Sequence, residues 1–206
     1  MAGDMSRRER PTLTTERLSL RRPDDGDVNA IVGIVGDWEV ARRLARIPHP
    51  YRATDAHFFL ANIVPTEWVW ALTLRGSNTL LGVIGLTGGA DASSEELGYW
   101  LSSRHWNRGL ATEAAGAVVR FAFQELGLAE ITSYYFEDNP ASGQVLRKVG
   151  FVETGREMRL SLAFGGEVPS ISMRLRSSQG SGPHSKAVDV GAAEAVGRSP
   201  EPQRGA

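Results

Sequence analysis

The sequence predicts an α+β fold in which a mostly antiparallel central sheet is flanked by helices. Short segments with alternating apolar residues occur near the start, in the centre and near the end of the folded part. Two segments with helical periodicity and clear end signals separate the central strands from the last ones. This order predicts an antiparallel meander, then helix, strand and helix, and finally a hairpin.

Composition predicts one folded domain with polar ends. The chain has 206 residues, of which 41% are hydrophobic, enough for one core. Residues 1–11 are polar and rich in arginine, and we expect them to be flexible. Residues 177–206 consist of Ser, Gly, Pro, Ala and charged residues without aromatics, so we expect a disordered tail. The folded domain is therefore predicted to span residues 12–176.

Several classes of protein are disfavoured by composition. The 23 lysines and arginines nearly balance 24 acidic residues, which argues against direct nucleic-acid binding. The absence of cysteine excludes disulfides and thiolate zinc sites, and the four histidines lack metal-ligand spacing, so no metal is expected. No apolar run reaches the roughly 20 residues of a membrane span, and the N-terminus does not resemble a secretory signal. We expect a cytoplasmic protein without membrane association.

The N-terminal half is predicted to contain one strand and three helices. Residues 17–21 alternate and indicate a strand, and Pro23 begins a helix with an apolar face. A short second helix passes through Val40 and Leu44. Thr54 is the expected N-cap of a third helix.

The centre and the C-terminal half are predicted from turn and cap signals. A hairpin joins residues 68–74 to 80–86, and a further strand covers 96–102. After a helix that ends near Leu126, a strand covers 130–136. The next helix is predicted at 139–149, with Asn139 as N-cap and Pro140 in its first turn. A hairpin of 158–164 with 170–175 completes the domain.

The segment Trp106–Ala114 carries the strongest functional signal. A polar turn runs directly into a helix start, where free N–H groups and the helix dipole favour an anion. Gly109 allows close approach of the backbone, and Arg108 adds a positive charge. A phosphate or pyrophosphate is the expected ligand. The alternative is an ordinary junction between a loop and a helix.

Four segments in order resemble the GNAT superfamily of N-acetyltransferases, and within it the Rim-type branch that acetylates protein N-terminal amines. The matching segments are residues 15–21, 96–101, 106–114 and 139–151. The resemblance implies a GNAT-like sheet with a splay between two central strands. It also implies acetyl-CoA as the acyl donor, bound without a metal.

By this resemblance the acetyl-CoA site comprises the end of the central strand, the loop and the start of the later helix. Its predicted residues are Trp100, Leu101, Trp106, Asn107, Arg108, Gly109, Leu110, Ala111, Thr112, Asn139 and Ser142. Two positions depart from the superfamily pattern. Trp106 replaces a frequent Gln or Arg, and Asn107 replaces a frequent Gly, although asparagine tolerates left-handed backbone. Asn139 can serve both as helix cap and as a contact of the pantetheine arm.

The resemblance also suggests the catalytic residues. Glu96 is the candidate base that removes a proton from the amine, and its alternative role is a solvated residue at the strand entry. Glu95 beside it is expected to be exposed. A backbone N–H near Trp100 or Leu101 would stabilise the oxyanion. Ser142 would donate to the departing thiolate or simply help to cap its helix, with Tyr134 and Tyr135 as alternative donors.

The predicted function is acetyl transfer from acetyl-CoA to a primary amine, favouring a protein or peptide N-terminus. Two alternatives stay open: acetylation of a small amine such as a polyamine, amino acid or antibiotic, and a non-catalytic acyl-CoA sensor. A mononucleotide-binding domain is disfavoured, because neither G-x-x-x-x-G-K-[ST] nor G-x-G-x-x-G occurs. The expected partners are acetyl-CoA and the amine acceptor, with the protein a monomer or homodimer.

Overall fold

A computed structural model describes residues 10–88 and 94–177. The predictions for residues 1–9 and 178–206 therefore lie outside the described residues. Arg10 and Pro11, predicted to belong to the flexible N-terminal segment, instead pack on the domain. The buried Arg10 guanidinium donates to the carbonyl oxygens of Val69 (2.9 Å), Glu67 (2.9 Å) and Val64. The ordered domain thus begins before residue 12.

The described residues form one eight-stranded sheet with the strand order β1-β2-β3-β4-β5-β6-β8-β7. All neighbouring strands are antiparallel except β5 and β6, which are parallel. The predicted α+β fold class is thus confirmed. The strands are β1 Leu13–Thr14, β2 Leu18–Arg21, β3 Trp68–Leu74, β4 Gly82–Gly88, β5 Ser94–Leu101, β6 Glu130–Phe136, β7 Val152–Ser161 and β8 Gly166–Arg176.

Five α-helices cover the two faces of this sheet. They are α1 Val28–Val35, α2 Trp38–Ala41, α3 Ala53–Phe58, α4 Leu110–Gln124 and α5 Pro140–Val149. Short 3-10 turns precede α1 and α4, and a π-helical turn extends α3. The predicted cap of α3 at Thr54 is wrong. Arg52 is the N-cap of α3 instead, because the Asp55 carboxylate accepts a hydrogen bond from the Arg52 backbone N–H at 2.7 Å.

Two apolar clusters lie on opposite faces of the sheet. Alternation along β3 directs Trp68 and Trp70 towards α4, where both rings make edge contacts with Phe121 at 5.2 and 5.3 Å. Val69 and Ala71 face the other way and pack with α1 and α3. Trp68 and Trp70 are thus core residues.

The sheet opens between its two parallel strands. β5 and β6 pair only from Ser94–Glu96 to Glu130–Thr132, although both strands continue beyond this point. The Ser133 hydroxyl donates to the Leu97 carbonyl at 2.8 Å, where the strands begin to separate. This is the splay that the family resemblance implies, and it leaves one edge of β5 available for other contacts.

Candidate active site

The splay forms the floor of a cavity of about 960 Å³. Its walls are the starts of α4 and α5 on one side and the segment between α2 and β3 on the other. Most of the predicted site residues meet there. The lining includes Glu96, Trp100, Leu101, Trp106, Asn107, Gly109, Leu110, Ala111, Thr112, Asn139 and Ser142. Arg108 is the predicted residue that does not line the cavity.

Two residues in left-handed backbone give the loop its shape. Asn107 has φ 60° and is the only non-glycine residue with positive φ in the described part of the chain, and Gly109 has φ 75°. Helix α4 begins immediately afterwards at Leu110. The N–H groups of its first turn have no partner within the helix, so they can donate to an anion. Asparagine therefore serves at the position where glycine is frequent in the family.

The loop is fastened at its start by Trp106. The indole Nε1 donates to the Leu101 carbonyl at 2.8 Å, across the gap that the splay opens. The Arg43 guanidinium lies 4.9 Å from the centre of the Trp106 ring. An aromatic residue here thus ties the loop to the end of β5.

A second set of hydrogen bonds joins helix α4 to the N-terminal strands. Glu113 accepts hydrogen bonds from the Thr15 hydroxyl (2.6 Å), the Arg17 backbone N–H (2.8 Å) and the Arg17 Nε (2.6 Å). Although burial opposes the shift, these hydrogen bonds lower the pKa of Glu113. The Arg17 Nη1 also donates to the Arg108 carbonyl at 2.9 Å. No local pattern predicts these hydrogen bonds, because Thr15 and Glu113 are nearly 100 residues apart in the chain.

Arg108 itself is exposed, and its side chain lies beside the loop. Burial, with the charges of Arg108 and Arg104, lowers the pKa of His105, which lines the cavity. The contact of Arg108 with a bound phosphate stays a prediction.

Strand alternation decides which backbone N–H groups face the splay. The Ser102 N–H donates to Leu81 on the β4 side at 2.8 Å, and Trp100, two residues earlier, has the same orientation. The carbonyls of Leu97 and Leu101 accept bonds from the opposite side. Of the two predicted oxyanion donors, Leu101 therefore fits and the Trp100 N–H does not. Trp100 lines the cavity with its side chain instead.

Tyr99 is a site residue that the sequence analysis missed. Its hydroxyl lies 2.8 Å from Ser142 Oγ. It also donates a hydrogen bond to the Ser142 carbonyl oxygen at 3.1 Å. Burial, opposed by the bond to Ser142, raises the pKa of Tyr99 to about 12. Strand alternation could have indicated Tyr99, because it lies two residues from both Leu97 and Leu101, on the edge of β5 that faces the splay.

The two tyrosines of β6 have different surroundings. The Tyr135 hydroxyl donates to Glu153 at 3.2 Å and accepts from Arg147 at 2.9 Å. Its ring packs so tightly under α5 that a Cβ at Gly143 would lie 2.6 Å away. The Tyr135 hydroxyl is thus engaged by Glu153 and Arg147, although the residue also lines the cavity. Tyr134 lines the cavity, and the Arg159 guanidinium lies 3.7 Å from the centre of its ring.

Asn139 caps α5 as predicted. Its side chain accepts a long hydrogen bond from the Ser142 N–H at 3.4 Å, and Pro140 occupies the first helical position. Because the cap uses one oxygen, the amide N–H groups of Asn139 stay free to serve a ligand in the cavity. The contact with the pantetheine arm stays a prediction.

Glu96 lies at the point where β5 and β6 part. Its Oε2 accepts from Arg159 Nη1 at 2.8 Å, and its Oε1 lies 3.9 Å from Arg46. The side chain is only 17% exposed, so it is not a solvated residue at a strand entry. Glu95, expected to be exposed, is buried because it points to the opposite face of the strand.

This arrangement defines a class of protein. The loop and helix start suit a pyrophosphate, the splay leaves strand-edge donors for a carbonyl oxygen, and a carboxylate lies beyond them. A cleft with these three features can hold an acyl-coenzyme A and bring an acceptor amine to its thioester. Among the described residues, no group of three or more histidines and acidic residues could hold a metal.

Comparison with known proteins gives the family. Residues 17–152 match the family described as Acetyltransferase (GNAT) domain, and the chain belongs to it. It is therefore an acetyl-CoA-dependent N-acetyltransferase. An uncharacterized N-acetyltransferase of Bacillus subtilis, YoaA, is 33% identical over 150 residues, covering 70% of this chain and 85% of that protein.

Solved structures share the fold. Ribosomal-protein-S5-alanine acetyltransferase from Vibrio fischeri has a TM-score of 0.70 at 16% identity, covering 82% of this chain and 98% of the other. Spermidine N-acetyltransferase from Vibrio cholerae, in complex with CoA and spermine, has a TM-score of 0.68 at 20% identity, covering 80% and 98%. The described helices include none with the length and apolar character of a membrane span.

Proposed function

We propose that this enzyme acetylates the N-terminal amine of a peptide or protein. The observation that carries the proposal is the environment of Glu96. This carboxylate lines the cavity beside the splay, and the guanidinium groups of Arg46 and Arg159 lie next to it. An acceptor with a single ammonium group is compatible with these cations, whereas a polyamine brings several like charges to them. The Rim-type resemblance supports the same choice.

Glu96 serves as the base in this proposal. An α-amine has a pKa of about 7.7–8, so most of it is protonated and unreactive at neutral pH. The incoming ammonium approaches Glu96 Oε1, from which Arg46 lies 3.9 Å away, directly or through one water, and gives up its proton there. The free nitrogen pair then forms a bond to the thioester carbonyl carbon.

The splay edge of β5 stabilises the charge that this attack creates. The carbonyl electrons move onto oxygen, and the Leu101 N–H is oriented to donate to it. As the oxyanion collapses to the amide, the carbon–sulfur bond breaks and the thiolate leaves. The second proton of the nitrogen is lost to solvent, because Glu96 already carries the first.

The Tyr99–Ser142 pair stabilises the leaving thiolate by hydrogen bonding. A thiol has a pKa of about 8.5, well below the value of about 12 for Tyr99, so complete proton transfer from the phenol is uphill. Tyr99 stays protonated and donates to Ser142, which leaves the Ser142 hydroxyl proton available for sulfur. Ser142 is thus the donor to the thiolate, and Tyr99 orients it.

Replacing Tyr99 with Phe tests this division of roles. We expect Tyr99→Phe to lower kcat about 5–10-fold, and Ser142→Ala to lower it at least as much, since hydrogen bonds to charged groups are strong. The double variant should lose little more than Ser142→Ala alone, because the two hydroxyls act in series. Single-turnover kinetics of acetyl transfer measure the effect. Additive losses in the double variant would contradict the series arrangement.

The function itself is tested by supplying acetyl-CoA with a panel of acceptors. Release of free thiol should occur with peptides bearing an unblocked N-terminus and not with the same peptides N-terminally acetylated. Mass spectrometry should place the added acetyl group on the α-amine. Acetyl-CoA alone should raise the melting temperature, because it binds the native state. Turnover confined to polyamines or lysine side chains would overturn the proposal.

A further inference from the structure

Glu96 and Arg46 occupy the meeting point of two cavities. A second cavity of about 360 Å³ shares Arg46, Glu96 and Ser133 with the large one, and Arg159 lines the second cavity. The Glu96 and Arg46 side chains thus present one negative and one positive charge, 3.9 Å apart, to the same space. A ligand entering there meets both charges at once.

The two arginines beside Glu96 differ in how firmly they are held. Arg159 makes 2.8 Å ion pairs with both Glu96 and Glu157 and covers the ring of Tyr134. Arg46 is 61% exposed, and its contacts are longer. They are 3.4 Å to Glu67, 3.3 Å to the Thr87 hydroxyl and 3.9 Å to Glu96. Arg46 can therefore turn to a new anion at low cost, whereas Arg159 cannot.

The charges that line this region are balanced before an acceptor binds. The linings of the two cavities together contain five basic and five acidic side chains: Arg43, Arg46, Lys148, Arg159 and Arg174, and Asp55, Glu67, Glu96, Glu130 and Asp138. A ligand without net charge preserves the balance in this partly buried space, and a polycation disturbs it. The site therefore suits an acceptor that carries its own negative charge beside the ammonium.

We infer that the acceptor bears a carboxylate close to its reactive amine, with the ammonium at Glu96 and the carboxylate at Arg46. This inference rests on the proposed amine acetylation and specifies its substrate class. The carboxylate belongs either to an acidic side chain near a peptide N-terminus or to the α-carboxyl group of a free amino acid. In both cases Arg46 is a specificity residue, and it takes no part in bond making.

Matched acceptors test the inference. Peptides that differ only in Asp, Asn or Lys at the second position separate charge from shape. Glutamine and its α-carboxamide, which share one side chain, test the α-carboxyl group of a free amino acid. Wild-type enzyme should have a kcat/KM about tenfold higher for the acidic member of the preferred pair than for its amide. Larger discrimination by the peptide pair identifies a side-chain carboxylate and agrees with the proposed peptide acceptor. Larger discrimination by the free amino acid pair identifies the α-carboxyl group and overturns the peptide acceptor.

Variants of Arg46 connect the preference to this residue. Arg46→Gln should abolish the acidic preference, and Arg46→Glu should invert it in favour of the Lys peptide. Arg120→Glu, on an exposed surface of α4, is the matched control and should keep the wild-type preference. The melting shift with acetyl-CoA verifies that each variant folds and binds the donor.

The possible results separate the two proposals. Equal turnover of acidic and neutral acceptors, or an unchanged preference in Arg46→Gln, would overturn the inference and leave amine acetylation standing. No thiol release with any amine would overturn both.

Discussion

Glu96→Gln should lower kcat/KM for a peptide amine about 10²–10³-fold at neutral pH. Glutamine preserves the size of the side chain but cannot take the proton that the ammonium must lose. The loss should be greatest near pH 6.5 and should shrink above about pH 8, where the α-amine deprotonates by itself. Thiol release measured across this pH range gives both profiles.

The controls for Glu96→Gln address the ion pair with Arg159. Glu125→Gln, at the exposed end of α4, removes a carboxylate outside the cavity and should leave the pH profile unchanged. Because Glu96→Gln also removes the charge partner of Arg159, its melting temperature must be measured with and without acetyl-CoA alongside the kinetics. Parallel pH profiles of the variant and the wild type would rule out Glu96 as the base.

Local signals in the sequence predicted most of the fold. Strand β6 was predicted at its observed bounds, because Ile, Thr, Tyr and Phe favour strands and turn signals flank it. The end of α5 followed from Gly150, whose φ of 110° suits glycine. Both signals lie within a few residues of the element that they define.

Predictions failed where a residue's burial depends on distant parts of the chain, and where a strand lies at the edge of the sheet. β7 begins at Val152, six residues before the predicted start at Met158. It is an edge strand whose side chains are mostly exposed on both faces, so no apolar alternation marks it. The buried state of Glu95 depends on which face of β5 is covered, and only the assembled sheet decides that.

The same distinction between local and distant causes applies to the residues of the candidate site. The loop could be located because left-handed residues and a helix start are local features at Asn107 and Gly109. Tyr99 and Arg46 could not be assigned, since their partners Ser142 and Glu96 approach only when the sheet opens at the splay. The orientation of the Leu101 N–H towards the splay, on which its proposed role as oxyanion donor depends, likewise follows only from the pairing register of β4 and β5.

Gly109→Val should raise the KM for acetyl-CoA at least about tenfold and lower stability. Gly109 has φ 75°, a conformation that costs an L-residue about 1–2 kcal/mol and a β-branched residue more. To relieve that strain, the loop must move away from the geometry that directs the first N–H groups of α4 into the cavity. Acetyl-CoA titration by calorimetry and steady-state kinetics measure the loss.

Gly127→Val separates backbone strain from loss of the donor site. Gly127 also has positive φ, at 67°, and has open space where a side chain would be added, but it follows α4 at the end opposite the loop. Both variants should therefore melt a few degrees below wild type, and only Gly109→Val should bind acetyl-CoA weakly. If the two variants lost affinity equally, the loop geometry at Gly109 would have no specific part in holding the donor, and general destabilisation would explain both results.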